Sequence, residues 1–145
     1  MSIYNPIIAK SVALLASAVR SSTQTFLRSD IIDPLNSANQ RSGINPESGG
    51  LIAYLNVTAV PGVDTVQLVL EEQDPASLVW TTVCATTATA VTGLVKLKLK
   101  QAIASIAATT TLVQAQDTLP AEWRLRVVHS AATNFTYSLG VTIYA

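Results

Sequence analysis

One cysteine, Cys84, in a chain of 145 residues leaves no partner for an internal disulfide and says little about redox compartment. Together with the single histidine, His129, it cannot make up a zinc ligand set, and the carboxylates are scattered through turns. Charge is scarce: nine basic and nine acidic side chains cancel, and charged residues are 12% of the chain. Holding phosphates takes a clustered basic surface, so nucleic acid is not an expected partner. A long apolar run is missing too. The uncharged stretch PASLVWTTVCATTATAVTGLV at 75–95 opens with Pro75, contains Gly93 and is crowded with threonine. A spanning helix takes about 20 mainly apolar residues, so this stretch reads as strands, and no membrane partner is expected.

Catalytic signatures are equally thin. A nucleophile needs a base beside it, and His129, at the end of a predicted strand, is the only histidine on offer. A strand-end histidine reads as structural or solvated. There is no G-x-S-x-G, no P-loop and no dinucleotide fingerprint. Glu71 and Glu72 are neighbours on a predicted strand, so they point to opposite faces and cannot act on one substrate. The expectation is a protein that is not an enzyme, with no metal, no cofactor and no small-molecule substrate.

What the sequence does have is period-two patterning. In LIAYLNVTA, Leu51, Ala53, Leu55, Val57 and Ala59 share one face, with Tyr54, Asn56 and Thr58 opposite. Val60-Pro61-Gly62-Val63-Asp64 is a turn, after which Val66, Leu68 and Leu70 face inward. Gln73-Asp74-Pro75-Ala76-Ser77 turns the chain again before LVWTTVC. In WRLRVVH, Trp123, Leu125 and Val127 oppose Arg124 and Arg126. NFTYSLGVTIY puts Phe135, Tyr137, Leu139, Val141 and Ile143 on one face, and His129-Ser130-Ala131-Ala132 reads as a tight hairpin connection between these last two strands. Two sequons, Asn56-Val57-Thr58 and Asn134-Phe135-Thr136, lie on outward faces that read as ordinary hydroxyl-rich sheet. Residues 101–118 read as a long excursion with one short helical turn.

The expected fold is all-β: an antiparallel β-sandwich or jelly-roll-like barrel with an extended N-terminal arm. A chain of this length removes roughly 70% of its unfolded surface from water, enough for one domain. Residues 1–28 read as the arm or first strands, 29–50 as a linker loop rich in Asp, Asn, Ser, Pro and Gly, and 51–145 as the sandwich body. LLASAVRSSTQT at 14–25 also invites a signal-peptide reading, since Ala16-Ser17-Ala18 resembles a cleavage site. The preceding apolar stretch is short, and Lys10 lies inside it, so a strand or arm of the mature chain is preferred. LVKLKLK at 94–100 puts Lys96, Lys98 and Lys100 on one face, read as a solvated or edge-guarding row. Trp80 and Trp123 both read as buried. Candidate partner-binding residues are Ile3, Tyr4, Ile7 and Ile8 in the apolar arm, with Arg20, Arg124 and Arg126; for Arg124 and Arg126, solvation of an exposed face is the competing reading.

Five segments, SAVRSSTQT (17–25), LNVTAVPG (55–62), DPAS (74–77), LPAEWRLRVVH (119–129) and FTYSLGV (135–141), together and in this order resemble small virion proteins of tailed bacteriophages. Where that group has a DPASGK-type turn this chain reads DPASLV. The resemblance implies a capsid cement (decoration) protein on the outer capsid surface, made in the host cytoplasm, that binds the major capsid protein and stabilises contacts between its subunits. It further implies a homotrimer, which the low charge and broad Thr/Ser faces also favour. A neck or tail component of the virion and a β-sandwich carbohydrate-binding or adhesion module are the alternatives.

Overall fold

The computed structural model describes residues 9–32, 49–101 and 103–144. Through them run β1 (Ala9–Arg20), β2 (Gln24–Leu27), β3 (Gly50–Ala59), β4 (Val66–Gln73), β5 (Trp80–Ala85), β6 (Gly93–Lys100), β7 (Leu112–Gln116), β8 (Trp123–His129) and β9 (Phe135–Tyr144). They form a five-stranded sheet, β1-β9-β3-β6-β7, and a four-stranded sheet, β2-β8-β4-β5. Every pairing is antiparallel except that of β6 with β7. The two sheets pack together as a sandwich, and no closed barrel is present among the described residues.

The alternation read from the sequence builds the core. Leu51, Ala53, Leu55 and Val57 of β3, Val95, Leu97 and Leu99 of β6, and the odd-numbered residues from Phe135 to Ile143 of β9 line one inner face. Val66, Leu68 and Leu70 of β4 meet them with Trp123, Leu125 and Val127 of β8. These side chains are almost wholly excluded from solvent. Each large aliphatic one contributes about 1.5–3 kcal/mol by leaving water. Gly62, with φ of 104°, supplies the positive angle that the turn after Pro61 requires.

Four expectations are corrected by the pairing. The segment after His129 is not a hairpin: β8 pairs with β2 and β4, whereas β9 pairs with β1 and β3. Alternation assigns faces, not partners, and residues 130–134 are long enough to cross the roughly 10 Å between stacked sheets. Residues 101–118 hold no helical turn among those described. Ile106 and Gln114 exchange backbone hydrogen bonds instead, at 2.9 and 3.2 Å, and the Thr109 hydroxyl accepts from the Thr111 and Leu112 amides. The chain thereby reverses, and β7 returns parallel to β6 with Val113 buried. Because β7 covers it, β6 is an interior strand, and its lysines guard no edge. Finally, within the segment read as the arm or first strands, residues 9–20 and 24–27 are strands: β1 hydrogen-bonds along the whole of β9, and β2 along β8. A helical turn at 28–32 then seats Ile31 and Ile32 in the core, so this part of the expected linker is integral to the fold. No helix among the described residues is long and apolar enough to cross a membrane.

Candidate functional site

On β8 the alternation that buries Trp123, Leu125 and Val127 sends Arg124 and Arg126 to the outer face of the four-stranded sheet, as expected. The carboxylate they meet belongs to this same chain. Arg124 Nη2 donates to Glu71 Oε2 at 3.1 Å and Arg126 Nη1 to Glu71 Oε1 at 3.0 Å. Glu71 stands directly across from Arg124 in the β4–β8 register. A register shift between Leu70 and Glu71 against β5 accompanies this arrangement. Burial alone would raise the Glu71 pKa; hydrogen bonds and charge from both arginines outweigh it and hold the value below its ordinary 4.5. Glu72 is exposed, so the two glutamates do face apart. Trp80 joins this outer face: the Arg124 guanidinium lies 4.4 Å from its ring centroid, and the indole is half-buried. Its expected burial in the core is therefore corrected. The irregularity between Leu70 and Glu71 re-phases β5, which simple alternation does not anticipate.

Arg20 is placed elsewhere, at the end of β1 in the five-stranded sheet. Its guanidinium donates to the backbone carbonyls of Ala16, Ala18 and Tyr137 and lies 5.1 Å from the Tyr137 ring centroid. It thus fastens the irregular second half of β1, where register shifts follow Ala13 and Leu15. The Tyr137 hydroxyl is 2.9 Å from His129 Nε2, and burial pushes its pKa up to about 12 against the lowering influence of Arg20. His129 also meets the Phe135 ring edge-on at 5.4 Å. Burial lowers the His129 pKa, opposed by a backbone hydrogen bond at Thr133. Ile3, Tyr4, Ile7 and Ile8 lie outside the described residues.

The outer face of the five-stranded sheet carries a second set of groups. Lys96, Lys98 and Lys100 form a row on β6. Lys96 approaches Tyr54 at 6.0 Å from the ring centroid and Lys100 approaches Tyr144 at 4.1 Å. The described structure contains no ion pair to these lysines. Next to the row, Tyr54, Gly140, Ser11, Ala13 and Thr142 border a shallow trough of about 330 Å³, and the Ser11 and Thr142 hydroxyls hydrogen-bond at 2.9 Å. Sequence reasoning missed the trough, whose signal was a glycine at an outward position of a strongly alternating strand.

At one end of the four-stranded sheet, the turn after β4 is locked by its own bonds. Asp74 accepts from the Ala76 amide at 2.9 Å and the Ser77 hydroxyl at 2.7 Å, and its backbone bonds to Leu78 and Val79. Leu78 has φ of 61° and is exposed. Cys84 is buried, and burial together with the charge of Asp117 pushes its thiol up to about 12. Among the described residues no three His, Cys, Asp or Glu side chains come together as metal ligands. The charged and aromatic groups instead lie spread across broad outer faces, an arrangement suited to contact with another macromolecule. No protein-family model matches the sequence, and no curated protein matches it.

Proposed function

We propose that this chain is a structural virion protein, a capsid cement protein that binds the outside of a tailed-phage head as a homotrimer and stabilises contacts between major capsid protein subunits. The observation that carries the reading is the strand order. β1-β9-β3-β6 stands opposite β2-β8-β4-β5, with most connections passing from one sheet to the other. We read this as an eight-stranded jelly roll with β7 added beside β6, an architecture common in viral capsid and lectin domains. The segments that carry the resemblance fall on successive elements of this one sandwich: the β1–β2 corner, β3 and its turn, the β4–β5 turn, β8 and β9. On this reading the protein works through association energy, each copy burying a modest area and the array multiplying the effect.

The test is to add purified protein to heads that lack it. Saturable, stoichiometric cosedimentation, with heads that withstand a higher temperature, is the expected result. Binding only to necks or tails would replace the cement role with a neck or tail role, and no binding to any virion part would end the virion reading.

A second reading rests on one observation. Trp80 stands on an outer face beside Arg124, so the four-stranded sheet offers an aromatic platform of the kind a carbohydrate-binding or adhesion module uses. A glycan-array signal lost in Trp80→Ala would favour that reading.

A further inference from the structure

Two residues break local rules without benefit to the fold. Gly140 sits in the middle of β9, where glycine weakens a strand. It does not take a positive φ, and a Cβ built on it would meet only the Val12 carbonyl oxygen, at an ordinary 3.8 Å. Nothing among the described residues requires a glycine there; what its absent side chain leaves is the floor of the trough beside Tyr54. Leu78 errs in the opposite sense. With φ of 61° it holds the left-handed conformation that favours glycine, yet it carries a branched apolar side chain that is 63% exposed. Val79, next to it, is 56% exposed. The Asp74 hydrogen bonds fix this apolar tip in place, so little freedom is lost when it is covered.

We propose that the Leu78 tip of one copy seats in the Gly140 trough of a second copy of this chain. Charge argues for that occupant. Exposed Glu72 and Glu122 lie beside the tip with Asp74, and Gln73 bonds to the Glu122 carbonyl. Lys96 stands across from Tyr54, one strand from the trough, and Lys98 lies farther off, two strands from Thr142 with Ile52 between. The acidic surround of the tip therefore suits the side of the trough where Lys96 neighbours Tyr54. Tip and trough are different surfaces, so the contact is head-to-tail and closes into a ring when the rotation between copies permits. This deepens the self-association in the proposed function, and it does not depend on the capsid.

Sedimentation equilibrium of the full chain, without heads, tests it. Wild type should assemble. Leu78→Gly, which relieves the backbone, and Gly140→Val, which fills the trough, should each weaken assembly by about tenfold or more while melting no lower than wild type at dilutions where all three are monomeric. The decisive sample is their mixture. The valine variant keeps its tip and the Leu78→Gly variant keeps its trough, so the mixture should recover a one-to-one dimer that grows no further. A monomeric wild type, unchanged assembly in either variant, or a mixture that stays monomeric overturns the inference. Loss of head binding with assembly intact would count against the capsid role alone.

Discussion

Glu71→Gln keeps the shape of the side chain and removes its charge, which isolates the contribution of the anion between Arg124 and Arg126. The Glu71 side chain is 9% exposed, and its partners 22% and 30%. Breaking a buried pair at one end costs about 3–5 kcal/mol, and an exposed pair is worth about 0–1 kcal/mol. A shielded carboxylate with two partly wet partners falls between, so the expected loss at neutral pH is about 2 kcal/mol. The pH dependence has a definite sign. Burial opposes ionisation, but the two arginines overcome it and the folded-state pKa lies below the ordinary 4.5. The stabilisation is therefore complete above 4.5 and is lost as the pH falls through the folded value. Protonated Glu71 and the glutamine variant carry the same charge, so urea midpoints for wild type and variant should differ at neutral pH and converge in acid. A gap that is absent at neutral pH, or that persists unchanged through the carboxylate range, would refute the assignment.

Trp123→Ala should cost about 3–5 kcal/mol through lost burial and a cavity. Trp123→Phe should cost far less, because the indole Nε1 is buried without a partner among the described residues and its removal offsets the lost area; equal urea midpoints for the two variants would contradict this. Gly50→Ala should lower the melting temperature, since the added Cβ would stand 2.6 Å from Lys100 Cγ and 2.7 Å from the Leu99 carbonyl oxygen; an unchanged melt would show that this end of β3 yields readily. The Cys84 thiol, buried and with its pKa pushed up to about 12, should react with a thiol reagent only as fast as the protein unfolds. Prompt labelling of the native protein would show that β5 opens locally.

The inner faces were legible in the sequence because a strand reports its own two sides: Phe135 to Ile143 and Trp123 to Val127 are buried where the alternation predicts. Which strands lie side by side was not legible. Nothing in WRLRVVH or NFTYSLGVTIY says that their neighbours lie in different sheets, since partner choice is settled by packing across long sequence separations. Arg124 and Arg126 were placed on the right face, but their bond to Glu71 depends on the register of β8 against β4. Trp80 was misplaced for the same kind of reason, an irregularity one strand away. At 78 the sequence displayed a leucine where the DPASGK-type turn that it resembles has glycine; that the backbone takes the left-handed angle with a leucine is visible only in the structure.

The two outer faces differ in how their charge is held. On the four-stranded sheet Glu71 neutralises part of the arginine charge, whereas on the five-stranded sheet three lysines recur at alternate positions of an interior strand with no ion pair among the described residues. Same-face neighbours on a strand are about 7 Å apart, within the screening length of about 8 Å at physiological salt, so the ammonium groups repel one another. The aromatic faces of Tyr54 and Tyr144 offset part of that repulsion for Lys96 and Lys100. Lys98 has no such ring partner among the described contacts and stands between Lys96 and Lys100. Lys98→Ser should therefore leave the melting temperature unchanged or slightly raised. If the lysine row meets an acidic surface on the head, the same variant should bind heads more weakly and lose part of the salt dependence of binding. A lowered melting temperature with head binding unchanged would mean that the row serves the fold rather than a partner.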